Sequence, residues 1–147
     1  MKTLFKFKNT HHCEAVVLSC IDFRFWKETA EFIEKELNIK SFDFPSLPGS
    51  AKAINESQEG DIVSQCINVP VELHHVNKII IINHEDCGAY GGSKKFAGNA
   101  DAEQEFHISE LQKAKEKLVS KYADKEIFLV YAALDSEKEN IEFIIVK

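Results

Sequence analysis

The chain has 147 residues, of which 24 are acidic and 18 basic, for a formal net charge of −6; this length fits one domain, residues 1–147, with room for a real core. No run of Lys or Arg is long enough to track a phosphate backbone, so nucleic acid is not an expected partner. No stretch approaches the roughly 20 apolar residues of a membrane span, and Met1 to Lys8 lacks the apolar core and cleavage site of a signal peptide, so a soluble cytoplasmic protein without membrane contact is expected. In that reducing compartment Cys13, Cys20, Cys66 and Cys87 are expected to be thiols or metal ligands, not disulfides.

The first apolar run, Ala15-Val16-Val17-Leu18, reads as a buried strand and ends in Cys20-Ile21-Asp22-Phe23-Arg24. Trp26, Ala30, Ile33 and Leu37 then recur at helical spacing among Glu and Lys, predicting an amphipathic helix of about three turns. Ser41 to Phe44 is a short second strand ended by Pro45, and Pro45-Ser46-Leu47-Pro48-Gly49-Ser50 is a shaped loop suited to line a pocket. Asp61 caps a helix whose Ile62, Cys66, Leu73 and Val76 are expected to face the sheet, with Pro70 kinking or restarting it for want of an amide hydrogen.

Ile79 to Ile82 forms the third strand and runs into His84-Glu85-Asp86-Cys87-Gly88. Gly88, Gly91, Gly92 and Gly98 mark a flexible connection to the longest helix, Asp101 to Tyr122, with Ile108, Leu111, Leu118 and Tyr122 on one face. Its acidic start and lysine-rich end suit the helix dipole. Ile127 to Leu134 and Ile141 to Val146 flank the polar turn Asp135 to Asn140 and should pair antiparallel at an edge. The alternation of strands and helices predicts a three-layer α/β fold. Its sheet has four parallel strands in the order 2-1-3-4 plus an antiparallel C-terminal edge strand, with helices on both faces.

Both polar motifs sit at the carboxyl ends of strands, where open α/β sheets bind ligands. Together they supply two thiols and one imidazole, Cys20, Cys87 and His84, with no obvious fourth ligand. That is the composition of a zinc centre with one position open to water or substrate, although soft ligands alone do not name the metal. Asp22 and Arg24 read either as a surface ion pair or as partners beside the metal. Cys66 reads as a core residue, and His11, His12 and Cys13 as a solvated loop or part of a metal site. His74 and His75 end a helix, where imidazoles suit the dipole. Glu85 and Asp86 are solvated or capping residues, or partners of the ligands.

The paired motifs resemble those of the β-class carbonic anhydrases, Cys-x-Asp-x-Arg after the first strand and His-x-x-Cys-Gly after the third, here Cys20, Asp22, Arg24 and His84, Cys87, Gly88. The resemblance covers most of the chain, and in particular the sequence is similar to a short, divergent branch labelled "putative carbonic anhydrase". It implies that Cys20, His84 and Cys87 bind Zn2+ and that a metal-bound hydroxide hydrates CO2 to bicarbonate. It further implies that Asp22 orients that hydroxide, that Arg24 forks onto the Asp22 carboxylate and holds it off the metal, and that Gly88 brings its amide to a bound anion.

Three departures from the family accompany it. Leu47-Pro48-Gly49-Ser50-Ala51 replaces an Asn-containing glycine-rich segment, and His11, beside His12, stands where the family often has a substrate-touching glutamine. Only 14 residues precede the first strand, so a homo-oligomer is not expected to form through the family's N-terminal helices. Two other readings stand beside the CO2-hydrating enzyme: a noncatalytic zinc protein on the same scaffold, and a hydrolase of a CO2-like molecule such as carbonyl sulfide or carbon disulfide. Thiol redox chemistry is disfavoured because no Cys-x-x-Cys pair exists.

Overall fold

The computed structural model describes residues 2–147. Five strands form one sheet: β1 (Ala15–Leu18), β2 (Phe42–Asp43), β3 (Lys78–His84), β4 (Glu126–Leu134) and β5 (Ile141–Val146). Their order is β2-β1-β3-β4-β5, parallel except for the β4–β5 pair at the C-terminal edge, as the sequence pattern implies. Among the described residues no helix is long and apolar enough to cross a membrane.

Side-chain alternation divides the sheet into two cores. On one face Ala15, Val17, Ile80, Ile82 and Val130 pack with Ile33 of helix α1 (Trp26–Lys35). On the other, Val16, Leu18, Ile79, Ile81, Leu129 and Tyr131 meet helices α2 (Ala51–Glu56), α3 (Ile62–Leu73) and α4 (Ala100–Val119) through Ile54, Ile67, Leu111 and Leu118. Both faces of the central strands are therefore dry, which is why those strands are continuously apolar instead of alternating.

Several sequence expectations are corrected. The α3 stripe is rotated, because Ile67 and Pro70 are buried whereas Ile62 is 71% and Leu73 61% exposed, and Cys66 is only half-buried. The helix is apolar nearly all round, so its periodicity allows more than one inward stripe, and packing selects between them. Asp61 caps it as expected, accepting from the Ser64 amide at 2.8 Å, but the helix runs through Pro70 without restarting. In α1, Trp26 is exposed and the buried face is Thr29 and Ile33. Helix α2 follows the proline-rich loop where no helix was expected. The glycine-marked connection contains two 3-10 turns, Gly88–Tyr90 and Ser93–Phe96.

The corrected α3 face is testable by chemical denaturation. Ile67→Ala should lower stability by about 2–5 kcal/mol, whereas Ile62→Ser and Leu73→Ser should stay within about 0.5 kcal/mol of wild type.

Candidate metal centre

Parallel pairing sets Leu18 of β1 beside Ile81 of β3, so both chains leave the same end of the sheet together. Cys20 follows two residues after Leu18 and His84 three residues after Ile81. The two-residue period of β3 then sorts its last side chains. His84 continues the Ile80 and Ile82 row and meets the Phe25 ring at 4.2 Å, while Asn83 points to the opposite face and meets α4 at His107.

Cys20, His84 and Cys87 are all buried, and their ligating atoms lie within 4.8 Å of one another. The two sulfurs are 3.8 Å apart. His84 Nδ1 lies 2.7 Å from the Glu85 carbonyl oxygen, which can only accept, so Nδ1 carries the proton and Nε2 offers its lone pair. That Nε2 is buried without a hydrogen-bond partner. An orphaned acceptor costs free energy unless another group takes its electron pair. Two sulfurs and this nitrogen converging in one buried place fit a borderline metal ion.

The proline-rich loop closes over Cys20. Leu47 N–H donates to Ser19 O at 2.8 Å, Ser50 Oγ donates to Leu18 O at 3.0 Å, and Gly49 N–H reaches Cys20 Sγ at 3.4 Å. Glycine is required there. Gly49 has φ +72°, and a Cβ would lie 3.0 Å from Lys52 Cβ and 3.1 Å from Ala89 Cβ. The hydrogen bond from Cys87, followed by His84 and the Gly49 amide, pulls the Cys20 thiol well below its usual range. The same shared proton, then burial, pushes Cys87 up. The pair thus releases its first proton readily and holds its second, since two adjacent thiolates need a counter-charge.

Asp22 stands beside these donors, with Oδ2 4.0 Å from His84 Nε2. Arg24 grips it bidentately, Nε to Oδ1 at 2.9 Å and Nη2 to Oδ2 at 2.6 Å, and the Arg24 amide adds a bond to Oδ1 at 3.0 Å. These contacts hold the Asp22 carboxyl below its usual range. Arg24 also reaches the second motif, donating from Nη1 to Asp86 Oδ2 at 3.0 Å and from Nη2 to Asp86 O at 3.1 Å. A cleft of about 600 Å³ lined by Arg24, Phe25, Asp86 and Lys138 opens beside the pair. Gly88 is exposed, and a Cβ there would meet nothing within 4 Å, so its backbone is approachable. His11 is not at this centre. It is exposed and lines a different cavity with Cys13 and Asp43.

A family model described as "Putative carbonic anhydrase" matches residues 10–142. The chain belongs to that family. Two relatives, each described as an uncharacterized protein, come from Rickettsia bellii and Rickettsia conorii. The first is 29% identical over 91% of this chain and 85% of its own length, the second 29% over 91% and 75%. Among solved structures, the β-carbonic anhydrase isoform I of Trichomonas vaginalis has a TM-score of 0.59 at 15% identity over 97% of this chain and 88% of that one. The β-carbonic anhydrase CafA of Aspergillus fumigatus has a TM-score of 0.59 at 12% identity over 92% and 76%. The fold is that of the β-carbonic anhydrases.

Behind the centre of this carbonic-anhydrase-family chain lies a buried polar layer that the sequence pattern missed. Glu85 is buried, not solvated, and its Oε2 accepts from the Leu134 amide at 2.9 Å. Asp86, held at φ +55°, donates its amide to Glu103 Oε1 at 2.8 Å and accepts the Ser93 amide on Oδ1 at 3.1 Å. Asn83 Oδ1 accepts from the Ala51 amide at 3.1 Å, which leaves its Nδ2 to donate to His107 Nδ1 at 3.2 Å. Glu103 and His107 precede Leu111, Ala114 and Leu118 on the same buried stripe of α4, so extending that stripe one turn past its apolar members would have found them.

Burial holds His107 well below its usual range, at about 4, so it is neutral in the fold. The folded chain then binds fewer protons than the unfolded one. The resulting stability is full above about pH 6.5 and is lost as pH falls towards 4, by on the order of 3 kcal/mol. A His107→Gln variant should lack this decline when its unfolding free energy is followed across that interval. Gly49→Ala should cost at least about 1–2 kcal/mol from the left-handed backbone alone, seen as a lowered denaturation midpoint.

Proposed function

We propose that this chain is a zinc-dependent carbonic anhydrase, a lyase that hydrates CO2 to bicarbonate within a single domain. The observation that carries the reading is the buried Cys20, His84 and Cys87 set with an orphaned His84 Nε2, flanked by a carboxylate that Arg24 keeps occupied. A purely structural site needs no such flanking pair, because structural zinc is closed by four protein ligands.

Cys20 Sγ, His84 Nε2 and Cys87 Sγ would hold the ion. When bound, zinc supplies a Lewis acid that makes a nucleophile available from water near neutral pH. The chain's own groups do the rest. The Glu85 carbonyl fixes the imidazole tautomer and Phe25 packs on its ring, so Nε2 points inward without rearrangement. Asp22 Oδ1 accepts from the amide and Nε of Arg24, while Oδ2 accepts from Nη2 and, at 3.2 Å, from Nε, and lies 4.0 Å from His84 Nε2. Oδ2, the oxygen that faces the metal donors, is placed to accept a hydrogen bond from an attacking water and to orient it towards the carbon of CO2. Arg24 keeps this carboxylate from swinging inward as a fourth ligand. On the other side the open Gly88 backbone gives a small anion such as bicarbonate room to approach.

Purified protein should contain close to one zinc per chain by elemental analysis, and Cys87→Ser should lose it. In stopped-flow CO2 hydration Arg24→Ala should fall by on the order of 10- to 100-fold with zinc content barely changed. Gly88→Ala should fold normally, since its Cβ meets only open space, yet weaken bicarbonate inhibition. A fully zinc-loaded wild type that hydrates no CO2 would overturn the activity and turn attention to carbonyl sulfide, carbon disulfide or a noncatalytic role.

A further inference from the structure

Cys13 precedes β1, at the end of that strand opposite to Cys20, and three differently anchored segments bring metal-ligating side chains together there. Cys13 N–H donates to His74 O at 3.2 Å, which ties the start of β1 to the end of α3, and Glu14 N–H donates to Ser41 O at 2.9 Å beside β2. Register then places Asp43 of β2 alongside Val16. One Asp43 oxygen, Oδ2, is the hub of the cluster. His74 Nδ1 lies 2.7 Å from it and Cys13 Sγ donates to it at 3.5 Å.

We propose that Cys13, Asp43 and His74 form a second divalent-metal site, suited to a borderline ion such as Zn2+ or Co2+. One donor atom from each residue lies within 4.8 Å of the other two, a limit that the donors of the first centre also meet. Thiolate, imidazole and carboxylate are the three protein ligand types such ions take. The donors are half-buried, and they line a cavity of about 410 Å³ that His11 and His12 also border. An ion could enter from solvent and keep a position for water or one of those imidazoles. Burial and then the Asp43 carboxylate hold the Cys13 thiol above its usual range. The ion would displace that proton to solvent, leaving a neutral imidazole and two anionic ligands around a dication. The competing view is that the Asp43–His74 contact only ties α3 to β2.

The two views separate by adding Co2+ to full-length protein carrying one zinc per chain, the half-exposed cluster first emptied by dialysis against a mild chelator. Zinc at Cys20, His84 and Cys87 resists displacement because it binds such donors more tightly than cobalt does. Wild type should take up one further ion per chain and show a near-ultraviolet thiolate-to-cobalt charge-transfer band. Cys13→Ser should lose the band, Cys66→Ser should keep it, and His74→Gln should bind cobalt more weakly by on the order of 10- to 100-fold or more. Cys13→Ser decides the matter alone, since it removes the sulfur and leaves the Asp43–His74 contact in place. Its difference spectrum from wild type reports this sulfur whatever fills the first centre. No band in wild type at excess cobalt, or an equal band in Cys13→Ser, would overturn the site and leave the contact as a structural tie.

Discussion

Three buried electron-pair donors, Cys20 Sγ, His84 Nε2 and Cys87 Sγ, are held within 4.8 Å of one another, and much of the surrounding structure answers that constraint. The cluster is poorly stabilised by the chain's own atoms. Nε2 has no partner and the sulfurs share a proton. What holds it is backbone on every side: the Gly49 amide at one sulfur, the Glu85 carbonyl on the imidazole, and parallel β1–β3 pairing beneath. Backbone contacts of this kind fix the donors in place before any ion is bound.

Arg24 is the element that joins the two motifs. Its guanidinium binds both oxygens of Asp22 and reaches the side chain and backbone of Asp86, so one residue spans the ends of β1 and β3. Asp86 is fixed in turn by Glu103 and Ser93, and Glu103 lies on α4 next to His107. The position of Asp22 is thereby coupled to packing on the far face of the sheet. A planar five-donor group makes such a bridge where a lysine, a single point charge, could not.

The strand β1 is only four residues long, yet chemistry-bearing residues lie at both of its ends. Cys20 is enclosed with the imidazole and the second thiol, whereas Cys13 lies half-exposed beside Asp43 and His74. The enclosed centre gains strength from low dielectric and water exclusion, and the half-buried cluster has less of both. The two clusters differ in what they can do for that reason, not because their donor types differ greatly.

The sequence by itself determined the α/β class, the strand order and the convergence of Cys20, His84 and Cys87. Those rest on short-range information, namely apolar runs such as Ile79 to Ile82, and on the rule that ligands gather at strand carboxyl ends. The Cys-x-Asp-x-Arg spacing likewise made the Asp22–Arg24 pairing legible. Tertiary structure alone decided which face α3 buries, because a helix apolar on several sides carries more than one usable stripe. It also decided the burial of Glu103 and His107, polar residues tolerated inside α4 by Asn83 and the Asp86 amide. The grouping of Cys13, Asp43 and His74 was hidden for the same physical reason. Residues 30 and 31 apart in the chain meet only once register and packing have fixed three separate segments.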